Sequence, residues 1–224
     1  MSFIEQLERQ EFAQAAQHAE QTEAAQPEER DMTTEAPASA TRTVDGSEVP
    51  VAGTWTLDPT HTTITFEVRH MMISKVRGSF GSESGTITVA DDLQDSQVEV
   101  AIDIASVESG TEDRDNHLRS PDFFDAEMHP RMTFRSTGVE TAGDGYRMTG
   151  DLMIKDITRP VVLDFEFTGG LIDPYGNPRV AFSASFEANR EDWDLTWNMA
   201  LETGGFMVGK QIKVSIDTEA VKAS

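Results

Sequence analysis

After Thr54, apolar and polar residues alternate with a period of two, which is the side-chain period of a β-strand that buries one face. The alternation is clearest in residues 64–70, and it recurs at 85–89, 98–104, 132–134, 146–154, 161–167, 180–186 and 212–216. Strands that follow one another with almost no helical pattern between them favour antiparallel pairing. The pattern therefore predicts an all-β protein of about eight strands, either a closed barrel or a sandwich.

The same period indicates which side chains face the shared interior. Along the first strand, Ile64, Phe66, Val68 and His70 lie on one face, and Glu67 and Arg69 lie on the other. We expect the first four to face inward together with Phe80, Phe134, Phe165 and Phe182. An eight-stranded barrel has room for its own side chains or for one slim ligand, so these residues are candidates for core packing and for ligand binding.

Composition excludes several classes of function. The chain of 224 residues has no cysteine, which rules out disulfides, thiolate chemistry, Cys-ligated zinc and iron–sulfur clusters. Its formal net charge of −22 disfavours nucleic-acid partners and docking on anionic lipids. No apolar run approaches the roughly eighteen residues of a membrane span, so stable membrane insertion is not expected. We expect a soluble, cytoplasmic protein, and the sequence leaves a homodimer open.

Residues 1–50 differ from the rest in composition. They are rich in Glu, Gln, Ala, Thr and Pro and have no sustained period, so they cannot bury enough apolar surface to offset chain entropy. We predict an acidic, mostly disordered extension over 1–50 and a barrel domain over 51–224. Within the extension, residues 3–18 have a one-sided apolar pattern. That pattern fits either a docking helix or a frayed tail, and the instability of short isolated helices favours the tail.

Residues 114–130 hold the densest group of ionisable side chains. His117 has the i, i+4 spacing of a metal-binding pair with Asp113, and Asp115 lies near enough to orient its imidazole for acid–base catalysis. No nucleophile motif, zinc-protease motif or phosphate-binding loop accompanies these residues. We favour a structural interpretation, in which Arg114 and Asp115 form charge-assisted hydrogen bonds that tie a short helix to the barrel.

The other histidines do not build a metal site. His61 and His70 bracket one strand and would lie roughly 30 Å apart along it, at about 3.3 Å per residue. They would also face opposite sides of that strand. We therefore predict neither a metal site nor a catalytic residue.

Short motifs follow one another along the chain in a defined order. The first are Trp55-x-Leu57-Asp58-x-x-His61, Phe66-x-Val68-Arg69-His70 and Gly78-x-Phe80. The central ones are Arg114-Asp115-x-His117-Leu118-Arg119, Asp122-Phe123-Phe124-Asp125 and His129-Pro130. The last are Gly150-Asp151-Leu152-x-Ile154, Thr158-Arg159-Pro160-Val161, Asn189-Arg190-x-Asp192-Trp193 and Trp197-Asn198. Over about residues 53–221 the chain resembles the YceI-like family of lipocalin-like proteins, and it departs from that family at Asp156 and Asp194, where Gly is common.

The resemblance implies an extended eight-stranded antiparallel lipocalin-like barrel with a short helical connector around residues 106–128. It also implies a lipid-binding protein that stores or transports a polyisoprenoid, an isoprenoid quinone or a similar amphiphile, with no required cofactor. The partner would be this hydrophobic small molecule. The implied lumen and mouth residues include Phe123, Phe124 and Trp197, and the implied structural polar residues are His61, Arg69, Arg114, Asp115 and His117.

Two other functions remain open at this point. The first is an enzyme that acts on a bound lipid, with His117 and Asp115, or His70, as the acid–base group. The second is an interaction module that works through the acidic extension. We predict the binding protein rather than the enzyme.

Overall fold

The structure is a computed structural model that describes residues 39–223 except Ser82, Asp144 and Thr203. The strands in these residues are β1 (Thr41–Val44), β2 (Ser47–Pro50), β3 (Gly53–Leu57), β4 (Thr63–His70), β5 (Ser74–Phe80), β6 (Glu83–Val89), β7 (Gln97–Asp103), β8 (Val107–Glu108), β9 (Arg131–Ala142), β10 (Gly145–Ile154), β11 (Ile157–Ile172), β12 (Pro178–Asn189) and β13 (Val208–Lys222). The helix α1 (Glu112–Arg119) follows β8, and 3₁₀ turns occur at Pro59–His61, Leu93–Asp95, Ile104–Ser106 and Arg190–Trp193. None of the described helices has the length and apolar character of a membrane-spanning segment.

Eight strands close into an antiparallel barrel in the order β3, β6, β7, β9, β10, β11, β12 and β13, and β13 returns to β3. β13 pairs with β12 along one edge and with both β4 and β3 along the other. β4 continues into β5, whose end pairs with β8, so these strands extend the wall of the barrel. The predicted all-β fold class and the eight-stranded lipocalin-like barrel are confirmed.

Two apolar clusters lie inside the barrel. One contains Ile64, Phe80, Met132 and Leu163 among its buried members, and the partly buried Phe66, Phe134 and Phe165 pack against it. The other is centred on Trp55, Leu57, Ile87 and Val180. Phe66, Phe134 and Phe165 point into the barrel and away from its outer surface, and yet they are only half-buried. Their remaining exposure is to an internal space.

The prediction that disorder extends to residue 50 is wrong for residues 41–50. They form an antiparallel hairpin, β1–β2, in which Thr41 lies opposite Pro50. The turn uses Asp45 and Gly46, both with positive φ, as a type I′ hairpin turn requires. The hairpin is short of apolar residues, but it needs no core of its own because Val49, 1 % exposed, is buried in the folded domain. The predicted helix over residues 3–18 lies outside the described residues.

Candidate functional site

The barrel encloses a cavity of about 420 Å³ whose wall is almost entirely apolar. The long strands of the barrel contribute mainly alternate residues to this wall, as the period of two requires. The wall includes all eleven residues predicted for the lumen and its mouth: Ile64, Phe66, Val68, His70, Phe80, Phe123, Phe124, Phe134, Phe165, Phe182 and Trp197. Their side chains are therefore brought together around one space, and a ligand of the cavity would touch apolar groups over most of its surface.

Glycines in the wall explain why the aromatic rings do not fill this space. Gly78 of β5 lies opposite Phe66 of β4, and a Cβ at Gly78 would lie 2.4 Å from Cζ of Phe66. A Cβ at Gly150 would likewise lie 2.4 Å from ring atoms of Phe134. Because carbon atoms in contact are normally about 3.5–4.0 Å apart, each ring occupies the place where a side chain would otherwise be. The two rings lie flat against the wall and leave the lumen open.

Several aromatic side chains pack together where α1 and the turn after it border the cavity. The ring centroids of His117 and Trp197 are 4.6 Å apart, and the two rings are nearly perpendicular. The ring centroid of Phe123 lies 5.0 Å from that of His117 and 5.3 Å from that of Trp197. Phe124 makes an edge-to-face contact with Phe80 at 5.8 Å. Edge-to-face pairs of this kind contribute about 0.5–1.5 kcal/mol beyond their burial. The segment therefore covers one side of the lumen with packed rings.

The polar residues of the central segment hold its backbone. Asp115 is buried and accepts hydrogen bonds from the amide and hydroxyl of Ser109. Arg114 donates to the hydroxyl and carbonyl of Ser109, and Arg119 donates to the carbonyls of Ala105 and Val107. These bonds fix the chain that leads from β8 into α1.

The pair of His117 with Asp115, one of the two acid–base groups considered for an enzyme, is not formed. Asp115 is bonded to Ser109, and the carboxylate beside His117 is Asp122, whose Oδ2 lies 3.0 Å from Nε2 of the imidazole. The i, i+4 pair with Asp113 is not a contact of His117 either, since its other close partners are the rings of Phe123 and Trp197. The sequence could not identify the partner of His117, because several carboxylates lie close to it along the chain. The turn after α1 brings Asp122 within hydrogen-bond distance of the imidazole.

His61 lies outside the cavity, in a polar cluster near the end of β13. Its Nδ1 is 2.9 Å from Oδ2 of Asp58, and Nη1 of Arg179 is 2.6 Å from the same oxygen and 3.2 Å from Glu219. Asp58, His61 and Glu219 have the spacing of metal ligands, but the guanidinium of Arg179 already supplies the positive charge there. We therefore interpret the cluster as structural.

The same cluster shifts two carboxylate pKa values downward. Hydrogen bonds from Thr60, Arg179 and His61 hold the pKa of Asp58 well below its ordinary value. Hydrogen bonds from the Asn177 amide and from Arg179 lower the pKa of Asp173 to about 2. Arg179 thus joins the turn after β11 to the turn before β4.

The mouth at the far end of β4 is rimmed by exposed apolar side chains. The turn after His70 places Met71 and Met72 at positive φ, with Ile73 N–H donating to the His70 carbonyl at 3.2 Å. Ile73 is 82 % exposed and Phe206, in the loop before β13, is 52 % exposed. Arg69 is exposed and also borders the cavity, although the period of two predicted that it faces outward. The pairing of β13 with β4 shifts between Val208 and Ile212, opposite this part of β4.

Arg190 is a residue of the wall that the sequence analysis quoted only as part of a motif. It is 4 % exposed and borders the cavity. The series Phe182, Ala184, Phe186, Ala188 and Arg190 continues the inward face of β12 with unchanged period. Arg190 is the first residue of the 3₁₀ turn after β12, and its side chain keeps the inward direction of that strand.

The β1–β2 hairpin lies at the other end of the lumen, where Val49 and Pro50 form part of the wall. Arg42 attaches the hairpin to the turn after β6, with Nη2 donating to the carbonyls of Ala90 at 2.6 Å and Asp91 at 2.9 Å. The cavity is thus covered at one end by residues that the composition had assigned to a disordered segment.

Comparisons with known proteins agree with this geometry. A sequence profile of the YceI-like domain matches residues 55–220. A UPF0312 protein of Staphylococcus epidermidis is 36 % identical over 164 residues, which are 72 % of this chain and 94 % of the relative. The crystal structure of a Campylobacter jejuni YceI protein is 31 % identical with a TM-score of 0.59, over 70 % of this chain and 90 % of that one. A polyisoprenoid-binding domain from Saccharophagus degradans, 14 % identical, shares the fold with a TM-score of 0.56, over 77 % of this chain and 100 % of that one. The chain belongs to the YceI-like family.

Proposed function

We propose that this protein holds one long-chain lipid in the barrel lumen, for storage or transport. The observation that carries the proposal is the apolar cavity of about 420 Å³ walled by the inward faces of the strands. Ligand cavities are typically about 300–1,000 Å³ with apolar walls and few polar groups. Burial of an alkyl chain contributes about 0.8 kcal/mol per CH₂ before the costs of binding, so such a wall needs no catalytic group to bind lipid.

The cavity volume limits how much of the lipid is enclosed. An engineered cavity of about 150 Å³ holds benzene, which has six heavy atoms. On that scale the present cavity, about 420 Å³, holds roughly seventeen heavy atoms. This size fits three isoprene units, about 15 carbons, and part of a fourth. The remainder of a longer chain would project through the mouth near His70.

We propose an isoprenoid as the tail of this lipid. The similarity to the Saccharophagus degradans domain, which is described as binding a polyisoprenoid, supports this class of ligand. Aromatic and branched apolar side chains line the lumen, so its wall offers an isoprenoid tail only apolar contacts. A straight alkyl chain of similar length is the nearest competitor.

A chain-length series tests the proposal. Dissociation constants for geraniol, farnesol and geranylgeraniol are measured by thermal shift and by calorimetry. We expect affinity to rise steeply from ten to fifteen carbons and to level off near twenty, because further carbons no longer find space inside. Absence of binding by all three prenols would overturn the isoprenoid tail, and absence of binding by straight-chain lipids of the same lengths as well would overturn the proposed function.

A matched pair of variants locates the site. Phe165→Trp places a larger ring in the lumen, and Val162→Trp adds the same side chain on the outward face of the same strand, where Val162 is 50 % exposed. We expect the first variant to stay folded and lose prenol binding, and the second to bind as the wild type does. If Phe165→Trp instead lowers the melting temperature and still binds prenols, the interior is a packed core.

A further inference from the structure

Five large apolar side chains lie exposed at the mouth of the cavity: Met71, Met72 and Ile73 in the turn after β4, and Met199 and Phe206 in the loop before β13. We call these five residues the mouth patch. They are half of the ten large apolar side chains that are exposed in the described part of the chain. Single exposed apolar residues are common on protein surfaces, whereas a group of them at one place points to an interaction site.

Backbone contacts join the two segments into one surface beside the lumen. Met71 N–H donates to the Met207 carbonyl at 2.7 Å, and Met207 N–H donates to the Met199 carbonyl at 2.9 Å. A Cβ at Gly205 would lie 3.6 Å from Cγ of Met72. Met207 borders the cavity, whereas the residues of the mouth patch do not. The patch therefore lies at the outlet, outside the space that encloses a ligand.

The turn after β4 holds its methionines in an unfavourable backbone conformation. Met71 has a φ of 51° and Met72 a φ of 64°. This left-handed region is disfavoured for residues that carry a Cβ, and glycine and asparagine adopt it most readily. A turn that only joined β4 to β5 would be more stable with those two residues. The chain instead presents two flexible apolar side chains to solvent, and backbone strain of this kind is typical of functional sites.

The charge near the mouth patch differs from that of the whole chain. Asp and Glu outnumber Lys and Arg by 40 to 18 overall, but residues 69–75 contain no acid and residues 198–210 contain only Glu202. Lys75 and Lys210, in the same segments, each form an ion pair with a glutamate. Arg69 is exposed and has no ion-pair partner within the described residues. Its guanidinium can donate hydrogen bonds to a phosphate group, and these segments offer almost no acid that would repel one.

We propose that the mouth patch docks the protein on the surface of a lipid bilayer, so that the bound lipid passes between the membrane and the lumen through the mouth. This inference rests on the proposed function, because it assigns the surface through which the same lumen is filled. A lipid with a long apolar tail resides in membranes and hardly dissolves in water. Exposed apolar side chains bind to the boundary between headgroups and acyl chains, and binding strengthens with the apolar area that is buried there.

A second copy of this chain fits the surface less well. Standard protein interfaces use about 20–30 residues a side, whereas the mouth patch has five exposed apolar side chains. A protein seated on the patch would also cover the outlet of the lumen. A bilayer offers apolar surroundings for the patch, phosphate groups for Arg69 and a source of the ligand itself.

Vesicles of phosphatidylcholine test the docking with the full-length protein. Flotation measures how the protein partitions onto the vesicles, and calorimetry without vesicles measures its affinity for farnesol. Ile73→Ser with Phe206→Ser removes an aliphatic and an aromatic side chain from the mouth patch. The matched control, Leu171→Ser with Tyr175→Ser, removes two equally exposed side chains of the same kinds near the end of β13, whereas the patch lies near its start.

We expect the patch variant to lose about tenfold or more of its vesicle partition coefficient, since burial of a single Ile or Phe side chain contributes about that factor. Its affinity for farnesol should equal that of the wild type, and the control should bind vesicles as the wild type does. A second variant, Met71→Asn with Met72→Gly, should raise the melting temperature and yet weaken vesicle binding. If the first variant does not fold, this second one decides the question. Transfer of geranylgeraniol from the loaded protein to vesicles should become faster as the vesicle concentration rises.

The outcomes separate the two proposals. If the wild type binds farnesol but does not float with the vesicles, or if the control loses as much vesicle binding as the patch variant, docking through the patch is wrong and lipid binding stands. A transfer rate that is independent of vesicle concentration would also overturn the docking. If the wild type is a dimer that Ile73→Ser with Phe206→Ser dissociates, the patch is a subunit interface instead. If neither farnesol nor straight-chain lipids bind in the absence of vesicles, the proposed function itself fails.

Discussion

Replacement of Gly78 by alanine tests the claim that aromatic rings lie against the wall and keep the lumen open. The new Cβ would lie 2.4 and 2.7 Å from two ring atoms of Phe66 and 2.8 Å from the Glu108 carbonyl oxygen. Contacts between carbon atoms are normally about 3.5–4.0 Å long, so the ring must move by about 1 Å or more. Since β8 restrains the backbone on the other side, the ring moves into the lumen.

The magnitude follows from the crowding. Overpacking of this kind costs about 1–3 kcal/mol. For a domain of this size, 1 kcal/mol lowers the melting temperature by about 2–4 °C, so Gly78→Ala should lower it by about 2–12 °C. The displaced ring also occupies lumen volume, and we expect geranylgeraniol to lose more affinity than the shorter farnesol.

Thermal unfolding and prenol titrations of the wild type and four variants provide the assay. Gly81→Ala is the control, because a Cβ at Gly81 has nothing within 4 Å and the change should alter stability by less than about 0.5 kcal/mol. Phe66→Leu removes the ring, so the double variant with Gly78→Ala should recover about 0.5–3 kcal/mol of the loss as a coupling energy. Wild-type stability and affinity in Gly78→Ala, or strict additivity in the double variant, would refute the reasoning.

Three further predictions concern other parts of the barrel. Arg179→Met should make stability less sensitive to acid, because a hydrogen bond from Arg179 helps to lower the pKa of Asp173 from 3.8 to about 2. A carboxylate with a lowered pKa stabilises the fold above pH 3.8, and this contribution is lost as the pH falls toward 2. The wild-type melting temperature should therefore drop between about pH 5 and 2 more steeply than that of the variant, and parallel curves would contradict this. The double change Met71→Asn with Met72→Gly should stabilise the fold by about 1–2 kcal/mol in denaturant titrations, because both methionines have the positive φ that Asn-Gly prefers. Val49→Ala should cost about 1–2 kcal/mol in the same assay, at about 0.8 kcal/mol per buried methyl group, and no loss would mean that the hairpin is not docked.

The inward face of the strands was predictable because it depends only on local alternation. Ile64, Phe66 and Val68 share the cavity wall as the period of two requires. Arg190 directly follows β12 and continues the inward series of that strand, although its motif alone had not suggested an interior position. Short strands were harder to predict. In β5, Gly78 interrupts the apolar face, and the reason for a glycine at that position is visible only from its pairing with Phe66 on β4.

The β1–β2 hairpin and the partner of His117 depend on contacts distant in space. Asp45-Gly46 is a strong local turn signal, but the composition around it argued for disorder. The hairpin is stabilised by contacts to the barrel end, such as those of Arg42 with the carbonyls of Ala90 and Asp91. The cavity itself was not predictable in size, because its volume depends on where each ring lies.

Native mass spectrometry of the purified full-length protein shows directly whether the lumen holds a lipid. The protein is prepared without detergent, its intact mass is measured, and the released ligand is extracted and identified. We expect one long-chain molecule per protein chain, retained by Val162→Trp and absent from Phe165→Trp. A mass equal to that of the chain alone, unchanged after incubation with prenols and long-chain acids, would contradict it.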